Sequence, residues 1–320
     1  MSNPFAHWLD AGDPVLLDGG LGTELERRGH RQLGRLWSAA LVRTNPTAIR
    51  EVHREYMEAG AKIITTATFQ AAVPTLRSTG LHRAEAEEFL RDAVALATRE
   101  RDRFVRRHPG HYRPLVAASI GPYGASLCNG AEYTGAYDIT DKQLISFHVE
   151  RMRVLGESEA DMIACETIPS LPEARILLQL LQALPSRWAW LSLMCRDESH
   201  LADGSSLCEV LKRAQDVPNL CAIGINCIAP RIAVRTIDTL QRYATAPILV
   251  YPNASNAWDS ATHQPEDEAV PEAFAREAQT WVQAGAQIIG GCCRTTPAHV
   301  QALGRFIAQG RVRTAEAVAS

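Results

Sequence analysis

Eight short apolar runs rich in Val, Ile and Leu recur along the 320-residue chain, and a stretch with helical periodicity follows each of them. The runs are continuously apolar instead of alternating, as expected for parallel strands that are buried on both faces. The predicted strands cover residues 15–19, 62–69, 115–120, 161–166, 188–194, 221–226, 248–251 and 287–290. The predicted helices cover residues 46–59, 84–107, 141–159, 172–184, 207–215, 231–243, 271–284 and 297–309. Eight strand–helix pairs predict an α/β protein with a (β/α)₈ (TIM) barrel, a single domain over residues 1–320.

A doubly wound sheet is the alternative architecture with the same alternation of strands and helices. It would need no eighth pair, and it usually has a phosphate-binding loop after its first strand. The segment Gly19-Gly20-Leu21-Gly22 follows the first predicted strand but lacks the G-x-G-x-x-G spacing of such a loop. A long segment rich in glycine and tyrosine, residues 121–137, follows the third strand, and we predict that it is an active-site loop.

Charge and composition exclude several classes of partner. A formal net charge of −3 gives no electrostatic reason to expect nucleic acid or an anionic membrane. No apolar run approaches the roughly 18 residues of a membrane span, and the first residues do not resemble a secretory signal. Eight cysteines without such a signal indicate a reducing compartment, so we expect a cytoplasmic protein. The sequence does not indicate an oligomeric state.

Polar residues and thiols collect where the predicted strands end, and in a barrel the active site lies at these carboxyl ends. Cys227 follows strand six, whereas Cys292 and Cys293 follow strand eight after two glycines, which allow the backbone to leave strand geometry. Alternate strands contribute to the same layer of a barrel, so the three thiols can face one point. Three thiolates are a ligand set for zinc, and an open fourth position is typical of a catalytic zinc.

Core packing is the alternative explanation for these cysteines, because free cysteine is among the most buried residue types. We predict this role for the five other cysteines, which are Cys128, Cys165, Cys195, Cys208 and Cys221. A vicinal pair after two glycines is harder to explain by packing. Since Cys227 is far from that pair in the sequence, the spacing alone leaves both explanations open.

Three segments closely resemble the motifs of homocysteine S-methyltransferases, and the likeness extends from Leu17 to about Leu303. The segments are Asp18-Gly19-Gly20-Leu21-Gly22-Thr23-Glu24, Asn226-Cys227 and Gly290-Gly291-Cys292-Cys293-Arg294. The resemblance implies a zinc ion that is held by Cys227, Cys292 and Cys293 and completed by the substrate thiol. It also implies that Asp18 and Glu166 hold the homocysteine amino group. Gly19, Thr66, Asn226 and Asn253 are the further substrate-binding residues that we predict.

The chemistry implied by the resemblance needs no catalytic side chain beyond the activated substrate thiol. A free thiol is mostly protonated at neutral pH, whereas metal coordination deprotonates it. A sulfonium donor carries its own leaving group, a neutral thioether. We therefore expect transfer of a methyl group from S-methylmethionine or S-adenosylmethionine to homocysteine, which forms methionine.

Other substrates and other classes of protein remain as alternatives. Betaine-using relatives have an aromatic residue where this chain has Thr167, which argues against betaine, and selenocysteine or selenohomocysteine is an alternative acceptor. A non-catalytic zinc-binding protein could use the same three thiolates. An aldol enzyme on the same barrel would need a lysine at a carboxyl strand end. Lys62 instead begins the second predicted strand, at the opposite rim.

Overall fold

The computed structural model describes residues 3–30, 36–255 and 269–309 with their side chains. It adds the backbone of two short antiparallel strands, Trp258–Asp259 and Gln264–Pro265, and of residues 310–319. Eight parallel strands form one sheet, in which each strand pairs with its neighbours in the order β1-β8-β7-β6-β5-β4-β3-β2. They are β1 (Val15–Leu16), β2 (Ile63–Thr65), β3 (Leu115–Ile120), β4 (Met162–Ile168), β5 (Ala189–Leu193), β6 (Leu220–Asn226), β7 (Ile248–Tyr251) and β8 (Ile288–Ile289).

The sheet closes between β1 and β2. Leu17, just after β1, forms a parallel bridge with Ile63, and the Asp18 amide donates to the Ile63 carbonyl at 3.0 Å. The predicted (β/α)₈ barrel is therefore confirmed. Eight helices follow the strands in turn: α1 (Pro46–Glu58), α2 (Arg83–Arg107), α3 (Asp141–Gly156), α4 (Leu171–Gln182), α5 (Leu207–Ala214), α6 (Pro230–Tyr243), α7 (Pro271–Gln283) and α8 (Pro297–Ala319).

The amino-terminal end of the barrel is filled with apolar side chains. Phe5, Trp8 and Trp190 pack in a buried cluster inside the barrel, and the short helix Ala6–Leu9 lies across this end. The Asn3 side chain ties that segment to the sheet by donating to the Cys221 carbonyl at 3.0 Å. Lys62 precedes β2 at the same end, as predicted, with its Nζ atom 5.3 Å from the centre of the Trp8 ring. Among the described residues, these side chains fill the amino-terminal end of the barrel.

Four strands, β1, β2, β5 and β8, are shorter than predicted, and several short helices were not predicted. The second predicted strand extends to residue 69, but β2 ends at Thr65 because the chain turns there, with the Thr68 amide donating to the Thr66 carbonyl at 2.8 Å. Strands β1 and β8 have only two residues each. The additional helices are Ala6–Leu9, Leu21–Arg27, Leu41–Thr44 and Val73–Ser78, with 3₁₀ turns at Trp37–Ala40, Tyr123–Leu127 and Ala131–Tyr133. Within the described residues, no helix has both the length and the apolar character that a membrane span requires.

Candidate active site

A cavity of about 570 Å³ opens at the carboxyl ends of the strands. Its wall includes residues at or just after the carboxyl ends of β1, β2, β4, β6 and β8, together with part of the segment 121–137. The position agrees with the rule that barrel enzymes bind their substrates at this end. Of the substrate-binding residues predicted from the sequence, Asp18, Gly19, Thr66, Glu166 and Asn226 line it.

The three predicted metal ligands converge on one side of this cavity. The Sγ atoms of Cys227, Cys292 and Cys293 all lie within 4.8 Å of one another, with 2.8 Å from Cys227 to Cys292 and 3.6 Å from Cys227 to Cys293. Sulfur atoms around a tetrahedral zinc ion are about 3.8 Å apart, given Zn–S bonds of about 2.3 Å. The donor type and its clustering therefore fit zinc. Among the described residues, no other group of His, Cys, Asp or Glu is arranged to hold a metal ion.

The backbone reaches this arrangement by leaving strand geometry at both ligand segments. Cys227 has a φ of 57°, a left-handed conformation that is uncommon outside glycine, and it comes directly after the last residue of β6. Strand β8 ends at Ile289, just before the two glycines. A Cβ atom on Gly290 would lie 2.5 Å from Cβ of Leu17, and one on Gly291 would overlap the Thr295 side chain. The glycines therefore allow close packing of the ligand loop against the end of β1.

Two asparagines fasten the ligand segments. The Oδ1 atom of Asn253 accepts from the Cys293 amide at 3.1 Å, and its Nδ2 donates to the Cys227 carbonyl at 3.2 Å. The Nδ2 of Asn226 donates to Thr167 Oγ1 at 2.7 Å and points at Cys292 Sγ from 3.7 Å. The side-chain amide of Asn253 thus links the backbones of two predicted ligands, Cys227 and Cys293. Asn253 is not among the described residues that line the cavity, and its contact with substrate stays a prediction.

Hydrogen bonding among the thiols prepares one of them as an anion. Hydrogen bonds from Cys227 and Cys292 lower the pKa of Cys293 well below its ordinary value, and a hydrogen bond from Tyr133 acts in the same direction. Metal ligation requires the thiolate form of cysteine. The cluster therefore favours the thiolate form that a metal ligand needs.

Asp18 and Glu166 are buried carboxylates on the floor of the cavity. Asp18 accepts hydrogen bonds from the Thr65 amide at 2.7 Å and the Thr65 hydroxyl at 3.1 Å. Glu166 accepts from the hydroxyls of Ser119 and Tyr251, the latter at 3.1 Å. Burial raises the pKa of Asp18 to about 8 and that of Glu166 to about 7. A cationic group bound between them would restore their charged forms, since an opposite charge favours ionisation.

Thr66 has its hydroxyl engaged within the protein. Its Oγ1 lies 2.7 Å from Oγ1 of Thr68 and accepts from the Ser119 amide at 3.0 Å. The hydroxyl thereby joins the end of β2 to β3, next to the serine that contacts Glu166. Thr66 lines the cavity as predicted and also positions this part of its wall.

The segment 121–137 forms a wall of the cavity, and a buried ionic network anchors it. Glu173 on α4 accepts from the Tyr123 amide at 2.6 Å and from the Tyr137 hydroxyl. His148 on α3 lies 2.7 Å from the same carboxylate and 2.8 Å from Arg151, and burial lowers the pKa of His148 to about 4. Both ends of the segment are thus held by one carboxylate.

The other cysteines are only partly the core residues that we predicted. Cys165, Cys195 and Cys221 are buried, whereas Cys208 is half-buried. Cys128 is exposed and lines the cavity, so the packing prediction is wrong for it. The reason is that Cys128 ends a 3₁₀ turn in the left-handed conformation, with a φ of 55°, at the edge of the active-site segment.

Sequence reasoning missed several residues that shape the site. Thr65, Ser119 and Tyr251 bind the two carboxylates, and Thr295 fixes the ligand loop. The Thr295 hydroxyl donates to the Cys292 carbonyl at 2.6 Å, while its own carbonyl accepts from the Tyr56 hydroxyl at 2.9 Å. The positions of Thr65, Ser119 and Tyr251 at or near carboxyl strand ends were a usable signal. Nothing in the sequence marks Thr295.

A barrel with a cavity at its carboxyl rim and three converging thiols defines an enzyme with a candidate sulfur-ligated metal centre. The family model described as homocysteine S-methyltransferase matches residues 15–307. The chain is 40% identical over 304 residues to homocysteine S-methyltransferase of Escherichia coli K12, covering 94% of this chain and 98% of that protein. It is 38% identical over 302 residues to homocysteine S-methyltransferase YbgG of Bacillus subtilis, covering 93% and 96%.

A solved structure agrees in both fold and sequence. The crystal structure of the homocysteine methyltransferase MmuM from Escherichia coli, in its metallated form, superposes with a TM-score of 0.86 at 38% identity, covering 95% of this chain and 99% of that one. The chain therefore belongs to the homocysteine S-methyltransferase family. Its reaction is methyl transfer to homocysteine, which forms methionine.

Proposed function

We propose that this enzyme holds a zinc ion with Cys227, Cys292 and Cys293 and transfers a methyl group from a sulfonium donor to homocysteine. The convergence of the three thiols within 4.8 Å carries this proposal. When bound, zinc supplies a Lewis acid that lowers the pKa of the homocysteine thiol and orients its sulfur. The metallated form of the related structure supports a metal in this enzyme, while its place and its identity rest on the three thiols of this chain.

Asp18 and Glu166 hold the amino group of homocysteine in this proposal. Both carboxylates are buried at the cavity floor, and each has hydrogen-bond donors that keep it in position. The pKa of each is raised by burial, so binding an ammonium group stabilises the ionised form. The preference for an amino-acid thiol over a simple thiol follows from this pairing.

The transfer itself balances without a general acid. The bond between the methyl carbon and the donor sulfur breaks, and its electron pair stays on the donor as a neutral thioether. A new bond forms between that carbon and the deprotonated homocysteine sulfur, whose proton has left to solvent. The residues of the cavity therefore have to align two sulfur atoms and exclude water, since effective alignment supplies much of the rate.

A sulfonium donor is favoured over betaine because Thr167 offers no aromatic face to a quaternary ammonium. The Thr167 hydroxyl instead accepts a hydrogen bond from Asn226. The cavity does have aromatic side chains elsewhere, at Trp37, Phe69 and Tyr133. A donor test must therefore include betaine.

Metal analysis and a donor panel on the purified protein test the proposal together. We expect about one zinc per chain, and far faster turnover with S-methylmethionine or S-adenosylmethionine than with betaine. Cys293→Ala should abolish turnover and release the metal, because two thiolates make a poor zinc site. The half-buried Cys208→Ala on α5 serves as the matched control and should keep both. Full activity in metal-free Cys293→Ala would refute the metal mechanism, and a non-catalytic zinc protein would bind zinc without turnover.

A further inference from the structure

Glu132 is carried into the cavity by a short 3₁₀ turn, Ala131–Tyr133, that packs tightly against the preceding turn of the same segment. A Cβ atom on Gly124 would lie 2.6 Å from the Glu132 amide, so glycine is needed there for the two turns to meet. The Asn129 side chain accepts from the Ala131 amide at 3.1 Å, and the Gly135 amide donates to the Ala131 carbonyl at 2.8 Å. The Glu132 backbone is therefore held in place from both sides.

The carboxylate of the half-buried Glu132 differs from the two buried carboxylates of the cavity, Asp18 and Glu166. Its Oε2 atom is inaccessible to solvent and has no hydrogen-bond partner among the residues that the structure describes. The Glu132 carboxylate is hydrogen-bonded to its own backbone, whereas Asp18 and Glu166 accept hydrogen bonds from other residues. A buried carboxylate oxygen without a hydrogen-bond partner is costly, and such atoms in native proteins usually have water, an ion or a ligand as their partner. A cationic group of a bound ligand would meet this requirement.

The surroundings of Glu132 select a cation as this partner. The next residue, Tyr133, makes a hydrogen bond with Cys293, which places this turn beside the sulfur cluster. Burial raises the pKa of Glu132, and the negative charge of Cys293 raises it further. Asp18 and Glu166 are assigned to the amino group of homocysteine, and Glu132 lines the same cavity as the sulfur cluster, where the two substrates have to meet.

We propose that Glu132 is the specificity-determining residue for the methyl donor, and that its carboxylate balances the positive charge of the sulfonium. This inference rests on the proposed function, because it takes the donor to be a sulfonium. It also assigns Glu132 to the donor rather than to the acceptor.

The proposal predicts a particular kinetic pattern. The positive charge of the sulfonium disappears as the methyl group leaves, so a fixed negative charge stabilises the bound donor more than the transition state. An interaction of this kind lowers the KM of the donor without raising kcat. Removing the charge should therefore raise the KM of the donor and leave kcat unchanged or slightly higher.

Glu132→Gln is the variant that tests this, because it removes the charge and keeps the shape. Asp138→Asn, an exposed carboxylate in the next few residues of the chain, is the matched control. With zinc-loaded enzyme we expect the KM of S-methylmethionine to rise about 10- to 100-fold in Glu132→Gln, the range of a charged hydrogen bond. The KM of homocysteine, the zinc content and the melting temperature should stay at the values of the Asp138→Asn control.

Calorimetric binding separates the sulfonium charge from the amino-acid part of the donor. S-methylmethionine carries the sulfonium, whereas methionine has the same amino-acid group and a neutral sulfur. Glu132→Gln should weaken binding of S-methylmethionine and leave that of methionine unchanged. Equal weakening of both ligands, a raised KM of homocysteine, or no change at all would each overturn the proposal. Failure of the proposed function looks different, since the wild-type enzyme itself would then turn over no sulfonium donor.

Discussion

Replacing Asn253 by Ala tests whether the metal centre depends on a residue that contacts only the backbone of its ligands. The substitution removes two hydrogen bonds, from the Cys293 amide and to the Cys227 carbonyl. Each bond contributes about 0.5–1.5 kcal/mol, so about 1–3 kcal/mol of ligand positioning is lost. If that loss appears in metal binding, zinc affinity falls by about 10- to 100-fold, the range found for residues that orient metal ligands.

The assay is a competition titration of the zinc-loaded protein with a chelator, together with the melting temperature of the metal-free form. The matched control is Asn219→Ala, because the Asn219 side chain is also buried and donates to three carbonyls, those of Leu181, Leu184 and Arg187. We expect both variants to lower the melting temperature, and only Asn253→Ala to lower zinc affinity. Equal zinc affinities in the two variants would refute the reasoning.

Three further predictions concern the buried carboxylates. Glu166→Gln should raise the KM of homocysteine ten-fold or more with zinc content unchanged; a lower melting temperature at an unchanged KM would instead indicate a structural role. In the metal-free protein, burial raises the pKa of Asp18 to about 8, compared with about 4 in the unfolded chain. Between these two pH values the folded state binds one proton more than the unfolded state, so the free energy of unfolding falls as the pH rises. Urea denaturation between pH 5 and 8 should show that the free energy of unfolding falls less steeply with pH in Asp18→Asn than in the wild type. The same pH dependence in both proteins would contradict this. Glu173→Gln should release the segment 121–137, which faster amide hydrogen exchange in that segment would show, and should raise the KM of the donor. Unchanged exchange would exclude the anchoring role.

The middle strands of the barrel were predictable because each is a continuous apolar run. The predicted bounds of β3 and β7 coincide with those in the structure, and those of β6 differ by one residue. Strands β1, β2 and β8 lie at the closing seam and have two or three residues. Their ends were overestimated because nothing in the sequence shows where the backbone leaves the sheet and turns into the active site.

The site was predictable in its chemistry and not in its contacts. Thiols and carboxylates at strand ends can be recognised as candidate site residues from their residue type alone. The Sγ atoms of Cys227, Cys292 and Cys293 lie close together, as expected. The role of Asn253 depends on the Cys293 amide and the Cys227 carbonyl, which lie in loops after two different strands. No local sequence pattern therefore reveals it. Glu132 was missed for a similar reason. Its segment was predicted as an active-site loop, but a single carboxylate there does not show that one of its oxygens will be buried without a partner.

Thr295 has a consequence for the order in which a ribosome-bound chain matures. The loop of Cys292 and Cys293 docks on residues made at the start of synthesis, through contacts from Thr295 to Tyr56 and Gly20 that are 239 and 275 positions apart. Two of the three predicted sulfur ligands, Cys292 and Cys293, come after all eight strands in the chain. The three-thiol site is therefore incomplete on the nascent chain, and a metal bound there cannot guide early folding. For the proposed metal centre, binding by all three thiols is thus a late event, because the loop of Cys292 and Cys293 docks on the first part of the barrel.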